Sequence, residues 1–344
     1  MLEELKLVVQ TEAEVLKSVG RPSYLVSSSD QIISFGVVPT KHSVTVAAIG
    51  LNGHVHEKVR ETLAVASDAE GTAKVAADLI AGLRKRLRSG SRIAGVGVSI
   101  SGQVNVETNV VRQSPFLGWI EEPFGATLAA LTDLPVKLDN NSTLTCAAER
   151  DFGAGRGFDD IVFLMGTEGG IGGGVVVAGQ LLRGTAGYAG ELGHIRISDS
   201  RIADSVGLEG TLEALVRRDE LEHALGLENA DDAELRIALA KRRSARVERI
   251  LNRKIDLLGL SIANLVNVFN PALVLLAGFL SELFNADDYR LMSQVRMGAL
   301  PGAREKVQIR TAELGPNLEL IGAAQLGFAA LLDDPAGTTL FPRI

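Results

Sequence analysis

The chain has 344 residues and a formal net charge of −7, with 46% hydrophobic and 22% charged residues. This balance is that of a soluble globular protein, and the length predicts two lobes rather than one small core. The acidic average disfavours binding of nucleic acid by the bulk of the chain, because neutralising phosphates requires a basic surface. The single cysteine, Cys146, excludes an intrachain disulfide framework and a cysteine-based metal site.

Neither a secretory signal nor a membrane span is predicted. Residues 1–6 lack a basic segment followed by an apolar run. The longest apolar stretch, residues 257–276, is interrupted by residues that a membrane span would not carry, namely Asn264, Asn267, Asn270 and Pro271. We therefore expect a cytoplasmic protein with no membrane partner.

The first half of the chain predicts one lobe of mixed α/β structure. Residues 1–30 are too few to build a core alone, although residues 5–10 have the composition of a strand and residues 20–23 predict a break. From residue 32 the pattern predicts three strands, a helix and a buried strand, over residues 32–38, 43–49, 54–61, 75–87 and 93–100.

The second half repeats this theme. Strands are predicted over residues 161–165, 171–177, 181–182, 193–197, 272–276 and 307–311. Helices are predicted over residues 208–217, 230–240, 246–269, 287–300 and 318–332, with Pro271 ending the long third helix. Two successive units of strands and helices predict a duplicated α/β fold with a ligand-binding cleft between its lobes.

Two glycine-rich segments are candidates for ligand binding. The glycines of residues 165–174 would let the backbone approach a phosphate closely, although Glu168 would repel one. The alternative is a glycine-rich hairpin with no ligand. In the segment 190–194, Glu191 and His194 would bind adjacent hydroxyls of a sugar, and the alternative is a histidine that makes one backbone bond in a turn.

A third candidate is the segment 138–142, which precedes a predicted helix over residues 143–152. An asparagine or serine at this place typically caps the helix, so this is the simplest interpretation. The functional alternative is that the amides of Asn140 and Asn141 reach into the cleft.

Taken in chain order, these motifs resemble the ROK family of bacterial sugar kinases and sugar-responsive repressors. The resemblance covers about residues 30–333 and includes the segments 139–141, 152–157, 169–174, 189–194, 114–119, 264–271 and 320–324. It implies a two-lobed actin-like fold of the hexokinase type (a duplicated ribonuclease H-like fold) and a homodimer.

The resemblance also implies a domain organisation. Residues 31–138 would form the N-terminal lobe and residues 139–315 the C-terminal lobe. Residues 316–334 would form a helix that packs back on the N-terminal lobe, followed by a tail over residues 335–344. Residues 1–30 resemble the wing and linker of a winged helix-turn-helix, so DNA is expected as a partner only if a helix-turn-helix lies upstream.

The chain departs from the family where phosphoryl transfer takes place. Val38, Thr40 and His42 occupy the Asp, Gly and Thr positions of the first phosphate loop, which organise Mg²⁺ and phosphate. The second phosphate loop is also degenerate, and its positions are Glu168, Gly169, Gly170 and Gly172. Asn141 replaces the catalytic base, and an amide cannot accept a proton from a sugar hydroxyl at neutral pH.

The zinc motif of the family is altered as well. Asp204, Val206 and Thr211 stand where three cysteines would bind zinc together with His194, so we expect no metal and no cofactor. By contrast, the positions of the family's sugar contacts keep polar side chains, namely Asn140, Asn141, Glu191, His194 and Glu213. Without the metal, nothing in the sequence fixes the orientation of His194.

This contrast predicts a ROK-type transcriptional regulator or sugar sensor that binds a sugar or sugar derivative in the cleft without phosphorylating it. We therefore expect a pseudokinase rather than an enzyme. One alternative is an ATP-dependent sugar kinase similar to glucokinase. The other is a non-catalytic partner of an intact ROK paralogue that does not itself bind DNA.

Overall fold

The computed structural model describes residues 2–12, 24–63, 67–227, 230–241 and 244–343. The chain divides into two compact units. The first unit comprises Met1–Leu144 and Asn317–Ile344, and the second comprises Thr145–Pro316. The predicted break at residues 20–23 lies outside the described residues.

Runs of strands and runs of helices follow one another along the chain. The strands are β1 (Val8–Glu12), β2 (Tyr24–Ser28), β3 (Ile32–Thr40), β4 (Ser43–Gly50), β5 (Val55–Thr62), β6 (Arg92–Ile100), β7 (Gln103–Asn105), β8 (Val110–Ser114), β9 (Trp119–Glu122), β10 (Val136–Asn140), β11 (Ile161–Thr167), β12 (Gly170–Val177), β13 (Gln180–Leu181), β14 (Leu273–Gly278), β15 (Gln308–Thr311) and β16 (Phe341–Pro342). The α-helices are α1 (Ala69–Arg86), α2 (Phe124–Thr132), α3 (Asn141–Phe152), α4 (Leu212–Leu215), α5 (Arg218–Leu225), α6 (Asp232–Ala240), α7 (Ala245–Phe269), α8 (Phe279–Ala286), α9 (Asp288–Gly298), α10 (Pro301–Arg304), α11 (Leu318–Gly327) and α12 (Ala329–Asp333). Two 3₁₀ turns lie at Leu192–His194 and Gly315–Asn317.

The first unit is built on a mixed sheet of order β10-β6-β3-β4-β5. The short β16 pairs with the first two residues of β6. Helix α1 begins where the Asp68 side chain accepts a bond from the Gly71 N–H at 2.8 Å. Its residues Ala73, Ala76, Ile80 and Leu83 recur at helical spacing and are buried. The predicted strands and helix of this unit are confirmed to within a few residues, apart from the beginning of α1 at Ala69.

Helix α11 packs directly on the strands of this sheet because glycines leave room for its backbone. A Cβ atom at Gly36 in β3 would lie 2.2 Å from the Leu320 carbonyl oxygen. A Cβ atom at Gly97 in β6 would lie 1.7 Å from the Ala323 carbonyl oxygen. Glycine at these two strand positions therefore sets how closely the last long helix approaches the sheet.

The N-terminal hairpin is tied to the first unit. Strands β1 and β2 pair antiparallel, from Val8 opposite Ser28 to Glu12 opposite Tyr24. Leu7, at the base of the hairpin, is buried in a small cluster with Ile32 and Phe328. The Arg92 guanidinium donates to the Leu5 carbonyl at 2.6 Å, so the hairpin is anchored by both apolar packing and a hydrogen bond.

The second unit has a sheet of order β13-β12-β11-β14-β15, in which β14 runs parallel to both neighbours. Helix α7 covers it with a long apolar face, beginning at the N-cap Ser244 and ending at Asn270, which has a left-handed φ of +46°. Pro271 follows this residue, so the predicted end of the long helix is confirmed. Among the described residues, none of the helices combines the length and the hydropathy needed to cross a bilayer.

Two predicted elements of the second unit are wrong. Residues 193–197 do not form a strand, because the backbone turns through a 3₁₀ helix at Leu192–His194 instead. The helix predicted over residues 208–217 is only the short α4, since Thr211 caps it by accepting from the Ala214 N–H at 3.2 Å. Gly210 precedes this cap with a φ of +70°, which a helix excludes.

Candidate functional site

The 3₁₀ turn Leu192–His194 carries the first group of candidate residues, and it lies directly against β12. A Cβ atom at Gly193 would lie 1.8 Å from the Ile171 carbonyl oxygen. A Cβ atom at Gly173 would lie 2.7 Å from the Leu192 side chain. The glycines of the two motifs therefore allow a polar turn to approach a strand closely, which places His194 beside the end of the glycine-rich hairpin.

Glu191, His194 and Glu213 are brought together in the second unit. The His194 Nε2 atom lies 4.0 Å from a carboxylate oxygen of Glu191. Burial raises the pKa of the Glu191 carboxyl above its ordinary value, with His194 opposing this shift and the Glu213 carboxylate adding to it. The cluster thus combines an imidazole with two acidic side chains, all able to bind hydroxyl groups.

Glu213 is held by the hairpin and by the loop that precedes α4. One of its oxygens accepts from the Ile171 N–H at 2.8 Å. The other accepts from the Ser205 N–H at 3.0 Å and from the Ser205 hydroxyl at 2.5 Å. Gly170 allows this contact, because a Cβ atom there would lie 2.0 Å from the Glu213 carboxylate.

The orientation of His194 is fixed by a residue that sequence reasoning treated only as a lost metal ligand. The His194 Nδ1 atom lies 2.8 Å from a carboxylate oxygen of Asp204. The same oxygen accepts from the Thr211 hydroxyl at 2.9 Å, whereas the other oxygen accepts from the N–H groups of Val206 and Leu208 at 3.1 and 2.9 Å. The available sequence signal was an acidic residue, Asp204, at a position where the family resemblance implies a ligand that lies next to His194.

Three of these side chains carry atoms that could bind a metal ion. Within the described part of the chain, ligand atoms of His194, Asp204 and Glu213 lie within 4.8 Å of one another. Zinc prefers four nitrogen or sulfur ligands in a structural site, and Val206 offers no side-chain donor. The carboxylate oxygens of Asp204 and Glu213 already accept hydrogen bonds from the protein, so these residues do not fit a structural zinc ion.

Asn140 and Asn141 lie in the first unit, where β10 passes into α3. The Asn140 side-chain oxygen accepts from the N–H groups of Ser142 and Thr143 at 2.9 and 3.2 Å. Its amide nitrogen donates to the Gly102 carbonyl at 2.9 Å. Asn140 is therefore the N-cap of α3, in agreement with the simplest interpretation of the sequence.

Glu319, which sequence reasoning missed, accompanies Asn141. Asn141 is 8% exposed, and its side chain hydrogen-bonds the carboxyl of Glu319 at the beginning of α11. Burial raises the pKa of the Glu319 carboxyl, while the Ser99 hydroxyl and the Asn141 side chain act to lower it. The available signal was a lone acidic residue within the apolar segment 318–324.

The two segments expected from the sequence to be degenerate phosphate loops form β-hairpins. In the first, Val38 and Thr40 lie in β3, His42 lies in the turn to β4, and the Thr40 hydroxyl pairs with that of Ser43 at 2.9 Å. In the second, Glu168 and Gly169 form the turn between β11 and β12. The Gly169 N–H donates to the Thr167 hydroxyl at 3.2 Å, while Gly172 pairs with Met165 inside the ladder.

The sequence is similar to sugar repressors and to glucokinases of one protein family. The model of the ROK family matches residues 34–329. The xylose repressor of Caldicellulosiruptor bescii is 30% identical over 257 residues, which are 68% of this chain and 64% of the repressor, so the chain spans less than two thirds of it. The glucokinase of Thermotoga maritima is 28% identical over 300 residues, which are 82% of this chain and 93% of the glucokinase.

A solved structure shows the same fold. A ROK family transcriptional regulator, described as a homologue of the Escherichia coli MLC protein, superposes with a TM-score of 0.79 at 22% identity. The superposition covers 96% of this chain and 87% of the regulator. The predicted fold class, an α/β fold of the actin-like sugar kinase type, is thereby confirmed.

Proposed function

Since this chain belongs to the ROK family, we propose that it is a transcriptional regulator or sugar sensor that binds a sugar or sugar derivative without phosphorylating it. The observation that carries the proposal is the cluster of Glu191, His194 and Glu213 in the second unit. This set of hydroxyl-binding groups occurs in a chain that has Asn141 at the expected position of the catalytic base.

The geometry of the cluster suits a ligand with hydroxyls on adjacent carbons. His194 Nε2 and the nearest Glu191 oxygen are 4.0 Å apart, too far for a strong direct bond. Each can instead accept a hydrogen bond from its own ligand hydroxyl, and bonds to a charged carboxylate are the stronger kind. We propose that these two residues and Glu213 contact the sugar.

The groups that phosphoryl transfer requires are replaced in both hairpins. Val38 carries no polar side chain, and the Thr40 hydroxyl pairs with Ser43. The Ile171 N–H, next to the glycine-rich turn, is bonded to Glu213. Replacement of the general base by Asn141 alone is expected to lower the rate by roughly 10²–10⁴-fold, and these features together support sensing over catalysis.

A regulatory role has further support at the N-terminus. The antiparallel pair β1–β2 precedes the first sheet and is anchored to it through Leu7. We propose that this pair is the wing of a winged helix-turn-helix, as expected from the sequence. DNA binding would then need a helix-turn-helix upstream of residue 1, and we propose that the protein acts as a homodimer.

A second candidate function is an ATP-dependent sugar kinase, and one observation favours it. The carboxyl of Glu319 hydrogen-bonds Asn141, so a carboxyl group does lie beside the position of the missing base. The glucokinase of Thermotoga maritima, aligned over 93% of its length, is in accord with this alternative. It requires Glu319 to accept the proton and another group to bind Mg²⁺.

A thermal-shift experiment separates the two functions. D-xylose, D-glucose, N-acetylglucosamine and their phosphates are added singly, and Mg-ATP is added in a separate arm. We expect at least one sugar to raise Tm by mass action and Mg-ATP to leave it unchanged. The sugar effect should be lost in His194→Gln and kept in His223→Gln, a matched histidine on α5. ATP-dependent formation of a sugar phosphate would establish the kinase instead.

A further inference from the structure

Asp204 lies at the centre of the loop between β13 and α4, and its side chain has no exposed surface although the residues around it are exposed. Its two carboxylate oxygens accept four hydrogen bonds, from His194, Thr211, Val206 and Leu208. An ionised carboxylate has about four acceptor positions, so all of them are used. Two further backbone bonds, from Asp204 N–H to Leu208 and from Gly207 N–H to Asp204, close the turn.

These bonds determine which nitrogen of His194 carries the proton. A carboxylate only accepts hydrogen bonds, so the Nδ1 atom at 2.8 Å must donate. Neutral His194 is therefore protonated at Nδ1, and its Nε2 lone pair faces the side of Glu191. Without this contact, the imidazole would be free to adopt the other tautomer or to turn about its side-chain bonds.

We propose that Asp204 is a positioning residue that holds His194 in the Nδ1–H tautomer without a metal ion, and so keeps Nε2 as an acceptor for a ligand hydroxyl. The part of this inference that concerns the ligand rests on the proposed sugar-binding function. The part that concerns the tautomer rests only on the four hydrogen bonds.

The side chains around His194 differ from those of a metal site because their carboxylate oxygens accept hydrogen bonds from the protein. Thr211 and Val206, which have no anionic side chain, bind the Asp204 carboxylate through a hydroxyl and a backbone N–H. Glu213, the third group close to His194, uses both oxygens on Ile171 and Ser205. A metal bound by His194 and Asp204 would have to displace a hydrogen bond from the Asp204 carboxylate, because all four of its acceptor positions are used.

Asp204→Asn is the variant that tests the tautomer. The amide oxygen must stay opposite the N–H groups of Val206 and Leu208, because a peptide N–H cannot accept a bond. The amide NH₂ then faces His194 and Thr211, and both of these can accept. The variant keeps the size of the side chain but makes residue 204 the donor and His194 the acceptor of their hydrogen bond. The Asp to Asn change in the serine protease triad selects the other histidine tautomer in the same way. Asp199→Asn is the control, because Asp199 is an exposed residue of the same loop.

The measurement is the ¹⁵N-histidine correlation spectrum at about pH 8, above the ordinary pKa of histidine. It is recorded without sugar and after dialysis against EDTA, with His194→Gln used for assignment. We expect the Nδ1–H pattern for His194 in the wild type and in Asp199→Asn, and the Nε2–H pattern in Asp204→Asn. An Nε2–H pattern in the wild type, or an unchanged pattern in Asp204→Asn, would overturn the proposal. So would one bound metal ion per chain in the purified protein.

Titration with D-xylose and D-glucose then tests the consequence for the ligand. Asp204→Asn should raise the Kd of the sugar that binds by about tenfold, the effect of one hydrogen bond of roughly 1.4 kcal/mol. Asp199→Asn should leave the Kd unchanged. If the spectra agree but neither sugar binds the wild type, that result counts against the proposed function while the role of Asp204 stands. An unchanged Kd in Asp204→Asn contradicts the role assigned to Nε2.

Discussion

The carboxylate of Glu213 accepts a hydrogen bond from the backbone N–H of Ile171 at 2.8 Å, beside the glycine-rich turn of the second unit. A backbone N–H in such a turn would be a donor for phosphate in a nucleotide site. Here it is bonded to the chain's own carboxylate, which repels an anion. This hydrogen bond indicates that the β11–β12 hairpin positions the Glu213 side chain and does not hold a phosphate.

Glu213→Ala tests this relationship. It removes a hydroxyl acceptor and leaves the N–H groups of Ile171 and Ser205 without their partner. We expect the sugar-dependent shift of Tm to be abolished and the free energy of unfolding to fall by about 1–3 kcal/mol. Glu209→Gln is the control, since Glu209 lies in an exposed ion pair with Arg201. A sugar-dependent shift of normal size in Glu213→Ala would remove Glu213 from the binding site.

Gly193→Ala should damage the site through the backbone. The new Cβ atom would lie 1.8 Å from the Ile171 carbonyl oxygen, so the turn would have to leave β12. We expect the free energy of unfolding to fall by more than about 2 kcal/mol, as in an overpacked core, and the sugar-dependent shift of Tm to disappear. The control is Gly302→Ala in α10, where a Cβ atom has no neighbour within 4 Å. Equal denaturation curves for the two variants would contradict the close approach of the turn to the strand.

Glu319 should make stability depend on pH. Because burial raises the pKa of its carboxyl in the folded protein, the folded state holds this proton more tightly than the unfolded chain does. Its contribution to stability is therefore complete below the unfolded pKa of about 4.3, and it is lost as the pH rises through the higher folded-state pKa. In Glu319→Gln, Tm should fall less than in the wild type over that range.

The control for this measurement is Glu313→Gln, which changes an exposed carboxylate. Its Tm should follow the wild-type curve at each pH. A Tm difference between Glu319→Gln and the wild type that does not change with pH would show that the Glu319 carboxyl does not titrate differently on folding.

An ion pair joins the buried Lys254 on α7 to the partly exposed Glu220 on α5, and it should affect the stability of the fold only. The Lys254 side chain has no exposed surface, and its Nζ atom donates to Glu220 at 2.8 Å. Burial lowers the pKa of Lys254 and the Glu220 carboxylate opposes this shift. Lys254→Met should change the free energy of unfolding by less than about 1 kcal/mol, because the cost of desolvating the ammonium is removed with the pair.

Glu220→Gln should be worse than Lys254→Met, because it leaves the buried ammonium without its charged partner. We expect a loss of about 2 kcal/mol in denaturant unfolding. The control is Lys74→Met, since the exposed pair of Lys74 and Glu70 should contribute less than about 1 kcal/mol. Equal losses in Lys254→Met and Glu220→Gln would indicate that the pair acts mainly by charge attraction and would contradict this prediction.

Much of the fold could be predicted from periodicity, and the failures have physical causes. Strands β3, β4 and β6 are buried apolar runs, so their composition predicts them. The meander β7–β9 was missed because its strands are short and partly exposed. The false strand at residues 193–197 followed from composition, whereas the actual turn depends on contact with Ile171, far away in the sequence.

The sequence predicts which residue types form the candidate site but not which of them hydrogen-bond to one another. Glu191, His194 and Glu213 could be named from the motifs, and the structure brings them together. The contacts of Asp204 with His194, and of Glu319 with Asn141, could not be named, because each depends on a loop or chain reversal that no local pattern encodes. Local motifs predicted Glu191 and His194, the family resemblance added Glu213, and the tertiary structure determined the partners of these side chains.

The central claim is that this chain binds a sugar and does not phosphorylate it. The most direct test is to incubate the wild-type protein, at a concentration above that of the sugar, with ¹³C-labelled D-xylose or D-glucose and Mg-ATP, and to follow the sugar by NMR and mass spectrometry. We expect at least one sugar to bind, seen as line broadening that an excess of unlabelled sugar reverses, and to be recovered unmodified with no ADP formed. Conversion of the labelled sugar to its phosphate, with one ADP formed for each, would contradict the account.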